Sequence, residues 1–373
     1  MSQPLRVAVV GCGGIAQMMH LPTLAERPDL FSIAGLAEVD RPTLEAVGTR
    51  YHVDRRVTDY RELLAAPDID AVLVLASGRH RHFVLDALEA GRHVFVEKPL
   101  GFSPAEAEEL AGAARRTGSV VQVGYHKRFD PAYQRARAEV QRLRGLRFVE
   151  VTVLHPDEEP YRRHHALLPV RPSMTMSEEA LDAQAVRETT SDEMRPLVDA
   201  TVGADAPLAV RVALFVLLTS LIHDINVLRG VLGEPEEVLS AYTWRGGMAQ
   251  TSLTRFAGDV RVLMNWISVP GLAHYEETVR FIGPERRITL TFPSPYLRHA
   301  PTALSMERMD GESHVVERHT VSYEEAFRAE LHQFHESVRT GRPADPGVDD
   351  AVGDARWIDA IARMMRPSGG ADD

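Results

Sequence analysis

Short apolar runs alternate with helical patterns through the first third of the chain. Leu5–Val10, Phe31–Ala37, Ala71–Ala76, His93–Val96 and Ser119–Gly124 read as strands, with helical stretches such as His80–Ala90 and Pro104–Thr117 between them. Alternation of this kind predicts a parallel sheet covered by helices on both faces. One helix start is marked by a capping box: Ser103 caps, Pro104 suits the first turn and Glu106 closes the Ser-x-x-Glu pattern. That device sets the direction of the loop just before it, Glu97-Lys98-Pro99.

After about residue 125 the pattern changes. Leu146–Leu154 predicts a strand, and residues 155–205 form a polar, turn-rich stretch expected to be an insertion or lid. An apolar helix follows from about Leu208 to Leu232. Val238–Trp244, Ser252–Phe256, Val260–Ile267, Glu276–Ile282 and Ile288–Phe292 then read as consecutive strands. Val260, Val262, Met264 and Trp266 point one way, and Arg261, Leu263, Asn265 and Ile267 the other. Strands joined by turn-length links predict an antiparallel sheet with one face on a helix layer. Final helices are expected at about Tyr323–Thr340 and Asp349–Met365. The fold class is therefore α/β: a doubly wound parallel sheet over residues 1–124, then an α+β domain with a mostly antiparallel open sheet over 125–373.

The glycine turn after the first strand supplies the first candidate chemistry. Leu5–Val10 breaks into Gly11-Cys12-Gly13-Gly14-Ile15-Ala16. Gly11 suits the tight turn, Gly13 the close approach of a pyrophosphate, and Ala16 the packing of helix on sheet, with Gly14 and Ile15 at the helix start. This is the Rossmann pattern, in which a diphosphate sits on the amides of the helix N-terminus. Glu38, at the end of the second strand, is placed to accept from a ribose diol and to repel a 2′-phosphate. NAD is the expected cofactor, with NADP possible because Arg41 stands nearby.

Composition narrows the partners. Forty-two basic against fifty-three acidic side chains give a net charge of −11, which argues against nucleic acid or an anionic membrane. The single cysteine, Cys12, excludes an internal disulfide or a thiolate zinc site and fits a reducing cytoplasm. The start Met1-Ser2-Gln3-Pro4 runs directly into a strand, so no signal peptide is expected. Leu208 to Ile222 carries Arg211 and is too short to span a bilayer. No pair in the polar cluster from His155 to His165 has convincing metal-ligand spacing, and no metal is expected.

Lys98 follows the fifth strand and so stands at the carboxyl edge of the sheet, where open α/β sheets bind ligands. His223-Asp224 lies deep in the apolar helix and must be partnered or face a cavity. A lysine and a histidine in one cleft can run acid–base chemistry near neutral pH.

The glycine turn, Glu38 and the block Ala90-Gly91-Arg92-His93-Val94-Phe95-Val96-Glu97-Lys98-Pro99 resemble the glucose–fructose oxidoreductase, inositol dehydrogenase and rhizopine catabolism family (Gfo/Idh/MocA). The likeness continues through Gly124-Tyr125-His126-Lys127-Arg128-Phe129-Asp130-Pro131, His223-Asp224-Ile225-Asn226 and Glu330-Leu331-His332-Gln333-Phe334. The resemblance implies hydride transfer between nicotinamide and a secondary alcohol or ketone of a sugar, aminosugar or cyclitol. Lys98 would hold the reacting oxygen and His223 would exchange its proton, while Glu97 and Lys98 also join the cofactor site. Tyr125, Lys127, Arg128, His155, Tyr161 and Arg162 become candidate substrate-binding residues. Relatives commonly dimerise or tetramerise through the open sheet, so a homodimer or homotetramer is expected, with Tyr242, Trp244, Trp266 and Ile267 as candidates for its interface.

One position departs from the family. An aspartate is expected one helical turn before the histidine, and this chain has Thr219 there. A hydroxyl can orient a substrate but carries no charge to balance Lys98. Two alternatives therefore stand beside the dehydrogenase: a redox-neutral elimination or glycoside cleavage through transient sugar oxidation, and a nicotinamide-binding sensor without catalysis.

Overall fold

The computed structural model describes residues 3–169 and 178–368. These divide into two compact units. The first takes residues 3–126, 163–169 and 327–355, and the second residues 127–162, 178–326 and 356–368.

The first unit is built on a six-stranded parallel sheet of β1 (Leu5–Val10), β2 (Phe31–Ala37), β3 (Arg56–Val57), β4 (Ala71–Val74), β5 (His93–Val96) and β6 (Val121–Val123). Their order across the sheet is β3-β2-β1-β4-β5-β6. The chain reverses its direction of winding between β1 and β4, and such a switch point opens a crevice at the carboxyl ends of the strands. The strands are apolar runs because both faces are covered: Val7, Val9, Leu73 and Phe95 are all fully buried. The capping box forms in a variant way. Ser103 accepts from the Glu106 amide at 3.2 Å, whereas Glu106 reaches back to the amide of Phe102 at 2.9 Å.

Phe327–Ala355, placed by the linear reading of the sequence in the second domain, folds with the first unit. The helix Ala326–Thr340 is amphipathic, and its buried stripe sends Leu331 and Phe334 into the same core as Phe95 and Val120. Sequence distance hides this return.

The second unit carries a nine-stranded mixed sheet of β7 (Phe148–His155), β8 (Pro235–Trp244), β9 (Ala249–Phe256), β10 (Val260–Ser268), β11 (Glu276–Ile282), β12 (Arg286–Phe292), β13 (Ala303–Asp310), β14 (Ser313–Thr320) and β15 (Met365–Pro367). The order is β14-β13-β12-β11-β7-β10-β9-β8-β15, antiparallel except where β7 meets β10 and β15 meets β8. β10 alternates as its period-two pattern predicts. Val260, Val262, Met264 and Trp266 are buried, and the residues between them are half-buried.

The apolar helix covers the residues predicted for it and so extends beyond Leu208–Ile222, the stretch judged too short to span a bilayer. Helical residues 208–232 run through Leu208–Val216, a π-helical turn at Leu217–Leu221, and Ile222–Leu232. By length and composition it would reach across a membrane, but most of it is buried inside the second unit, as a core helix is. The Trp266 indole donates to Ser220 Oγ at 2.9 Å, so this face of the sheet is the one the helix covers. Of the four candidates for a subunit interface, Trp266 is therefore withdrawn from the open face. In the expected lid region, a short helix spans Glu159–Arg162 and longer ones span Glu178–Thr190 and Arg195–Val202; residues 170–177 of that region lie outside the described residues.

Candidate functional site

The glycine turn has the shape its sequence predicts. Gly11 has φ +91°, and a Cβ there would stand 2.5 Å from the backbone of Ala76, just after β4, so only glycine fits. A Cβ on Gly13 would meet nothing within 4 Å, which leaves its backbone open to a ligand. Gly14 and Ile15 begin the helix that follows, and Ala16 is buried at the start of a π-helical turn, Ala16–His20, leading into Leu21–Glu26. Glu38 closes the turn from the side: its carboxylate accepts from the Cys12 amide at 2.9 Å and from the Asp40 amide at 3.1 Å. An open glycine backbone, a helix start and a carboxylate at the end of β2 together fit a dinucleotide. Burial and the nearby Glu38 push the Cys12 thiol up to about 12, so it is an inert filler of the turn.

Gln17, in that helix, ties a distant segment to the turn. Its amide nitrogen donates to the carbonyls of Cys12 and Leu168, each at 2.8 Å, and its oxygen accepts from the Leu168 amide at 2.8 Å. Arg50 also donates to the carbonyl of Ala166. Part of the expected lid is thus fastened beside the glycine turn.

β5 delivers Glu97, Lys98 and Pro99 to the carboxyl edge of the parallel sheet. Lys98 is half-buried, while Glu97 is buried and lies 2.8 Å from Nε2 of His20. Burial alone would raise the Glu97 carboxyl. The hydrogen bond and charge of His20, with Lys98 and His80, reverse this and hold it below its ordinary value. Gly124 makes room, since a Cβ there would press on the Glu97 carboxyl at 3.2 Å. Glu330, fully buried with neither carboxyl oxygen hydrogen-bonded among the described residues, is pushed well up by burial and by the charge of Glu97, which favours its protonated form.

The second unit gathers the other candidates. His223 is half-buried on the long helix. The Thr219 hydroxyl donates to the carbonyl of Phe215 at 2.7 Å, within its own helix. Asp224 is buried and hydrogen-bonded to Glu277, and burial, then the Glu277 charge, push it well above the carboxylate range. Lys127, also buried, pairs with Glu277, and its ammonium lies 5.0 Å from the centre of the Phe292 ring. Tyr275 donates its hydroxyl to Glu277 at 2.6 Å and its amide to the Tyr161 hydroxyl at 2.5 Å. His155 stands 5.7 Å from the Tyr275 ring and 3.3 Å from Glu158. Glu158 also receives Arg162 at 3.2 Å and the Tyr296 hydroxyl at 3.0 Å.

Lys127, His155, Tyr161 and Arg162 thus share one polar cluster, with Tyr275, Glu277 and Tyr296 as members that the sequence reading did not select. Tyr125, at the end of β6, is buried in the first unit. Arg128 is buried and donates to Asn226 at 3.2 Å, bracing the helix Ile222–Leu232. A compositional signal could have drawn attention to Lys127: of forty-two basic side chains, only Lys98 and Lys127 are lysine.

Residues 5–125 match the family model GFO_IDH_MocA, described as an oxidoreductase family with an NAD-binding Rossmann fold. D-glucoside 3-dehydrogenase of Escherichia coli is 34% identical over 140 residues, 37% of this chain and 40% of that protein. Myo-inositol 2-dehydrogenase of Thermotoga maritima is 23% identical over 93% of this chain and 92% of its own. At about 30% identity, the matched part spans about two fifths of the length of such curated relatives. The fold is shared with KijD10, a 3-ketoreductase from Actinomadura kijaniata solved with TDP-benzene and NADP (TM-score 0.72, 20% identity, 98% of both chains). It is shared too with levoglucosan dehydrogenase in complex with NADH and L-sorbose (TM-score 0.74, 16% identity, 97% of both chains).

Proposed function

From the premise that the chain belongs to the Gfo/Idh/MocA oxidoreductase family through its nucleotide-binding part, we propose that it moves hydride between a nicotinamide cofactor and a secondary alcohol or ketone of a sugar, aminosugar or cyclitol. The observation that carries the reading is Lys98 at the carboxyl end of β5, in the same sheet that opens the glycine turn after β1. The dinucleotide, when bound, supplies the hydride acceptor or donor. Lys98 holds the carbinol or carbonyl oxygen and favours its anionic form, as a cation does for a developing alkoxide. His223 takes or gives the oxygen's proton, since an imidazole is half-protonated near neutral pH. NAD is the proposed cofactor, supported by the Glu38 carboxylate at the ribose end.

A panel of aldoses, aminosugars, nucleotide sugars and cyclitols, mixed with NAD and then NADP, tests this through the absorbance of reduced nicotinamide. Lys98→Ala should lower turnover by about two to four orders of magnitude while cofactor affinity stays near normal. A fully active Lys98→Ala protein would sink the mechanism. The redox-neutral alternative is favoured by one observation: Thr219 donates its proton within the helix and Asp224 is neutral, so neither is an anionic partner for His223. Product formed without added cofactor would select it, and cofactor binding without turnover would select a sensor.

The proposal extends to a cytoplasmic location, in keeping with a single buried cysteine. It extends as well to a homodimer or homotetramer formed through the open face of the nine-stranded sheet. Tyr242, 45% exposed, and the half-buried Trp244, Leu253, Leu263 and Ile267 share that face by strand register.

A further inference from the structure

The tripeptide Glu97-Lys98-Pro99 is gripped at both ends by buried histidines. On one side His20 Nε2 lies 2.8 Å from Glu97 Oε1, and Glu97 Oε2 in turn accepts from the Lys98 amide at 3.3 Å. On the other side His80 Nδ1 lies 2.9 Å from the carbonyl oxygen of Pro99, and its Nε2 lies 2.9 Å from that of Ala76. The two histidines are 0% and 3% exposed. Ala76 is also the residue against which the Gly11 backbone packs. His80 therefore joins the floor of the glycine turn to the residue that follows Lys98.

Both partners of His80 are carbonyl oxygens, which only accept. A neutral imidazole has one N–H and can serve only one of them, whereas the imidazolium serves both. Burial, with the Lys98 charge, outweighs the two backbone carbonyls and Glu97 and holds the His80 imidazole below its ordinary value. The charged and titratable groups around the loop are Glu97, Lys98 itself, Glu330 beside Glu97, and Arg79, which is held by Glu106 at 2.6 Å. His20 has aromatic neighbours, with Phe95 and Phe327 at ring-centre distances of 5.2 and 5.6 Å.

We propose that His20 and His80 are the positioning residues of Lys98, fixing the loop that carries it from its two ends. Neither touches the reacting atoms: His20 acts through the Glu97 carboxylate and His80 through the Pro99 carbonyl. The proposal rests on the reading of Lys98 as the residue that holds the reacting oxygen, and adds how its place is kept.

Because the chain has only two lysines, lysine labelled with 13C at Cε gives two signals, and Lys127→Arg assigns them. In the wild-type holoprotein, Lys98 should show a dispersed resonance distinct from the random-coil position. His80→Gln keeps an N–H donor but lacks the ring that bridges the Pro99 and Ala76 carbonyls, and His20→Gln likewise removes the ring that holds Glu97. Each should shift the titration midpoint of the Lys98 signal by about 0.5 pH unit or more and leave the Lys127 signal in place. Turnover should fall about tenfold to a hundredfold, with the KM for the dinucleotide unchanged. A random-coil Lys98 signal in the wild type overturns the proposal whatever the variants do. So does an unchanged Lys98 midpoint in both folded variants. Absence of turnover by the wild type on every sugar would instead overturn the oxidoreductase reading, and the lysine signal would still decide the clamp.

Discussion

Asp224, on the long apolar helix, shares a hydrogen bond with Glu277 on β11, and with both side chains buried one of the two carboxyls keeps a proton. Burial and the adjacent negative charge assign that proton to Asp224. Burial would also raise Glu277, but Lys127, Asp224 and Tyr275 outweigh it and hold Glu277 ionised. Asp224 therefore follows His223 in sequence without supplying the negative charge that a family aspartate would bring.

The Lys127–Glu277 pair should be costly to break and cheap to replace. Glu277→Ala strands a buried ammonium, and about 3–5 kcal/mol of stability should be lost in urea unfolding. The double variant Lys127→Met/Glu277→Leu removes both charges and should recover most of that loss. Equal destabilisation by the single and double variants would show that the pair is solvated and weak.

A second prediction concerns pH. Glu330 is held above its ordinary value, so its contribution to stability is fully present below the normal carboxyl range and is lost as pH rises through the folded-state value. Glu330→Gln removes the titration. Thermal midpoints of wild type and variant should therefore diverge in the variant's favour as pH rises above about 4.3, the ordinary glutamate value. Parallel curves across that range would show that Glu330 titrates normally.

The nucleotide unit was largely legible because its signals are local. Strand, glycine turn and helix lie within sixteen residues, and Ser103 and Glu106 mark the helix that follows Lys98. The period of β10 likewise told its buried face. What stayed hidden depends on partners far apart in the chain. Glu277 in a strand reads as a solvent-facing acid, and its burial makes sense only with Lys127, 150 residues earlier, at its side. His20 and His80 look like ordinary helix residues until the fold brings Glu97 and Pro99 to them. The π-helical turn at Leu217–Leu221 has no signature in the apolar pattern around it. The helix Ala326–Thr340 showed its amphipathic stripe but not the unit whose core that stripe would join.

Gln17 makes a third prediction possible. Its three hydrogen bonds hold Leu168 to the glycine turn, and Gln17→Ala removes all of them. The loss should be about 1–3 kcal/mol in unfolding, because buried backbone groups are left without partners. If residues 163–169 help retain the cofactor, dissociation of NADH measured by stopped flow should quicken about tenfold, with little change in association. An unchanged dissociation rate with the same stability loss would confine Gln17 to a structural role.

The proposed function makes Glu38 the residue expected to decide between the two nicotinamide cofactors. Its carboxylate accepts from the Cys12 and Asp40 amides, and so stands between the glycine turn and the end of β2, where a ribose diol would lie. A 2′-phosphate brought there would face an anion fixed in place by two amides, with no freedom to turn away. Glu38→Ser shortens the side chain and removes the charge. NAD affinity should fall about tenfold, equivalent to about 1.4 kcal/mol, through loss of the diol acceptor. NADP affinity should hold or rise, since the repulsion is gone and Arg41 remains nearby. Titration of both cofactors against wild type and variant by calorimetry reads the two constants directly. A wild type that already prefers NADP would show that Glu38 belongs to the architecture of the turn and takes no part in selecting the cofactor.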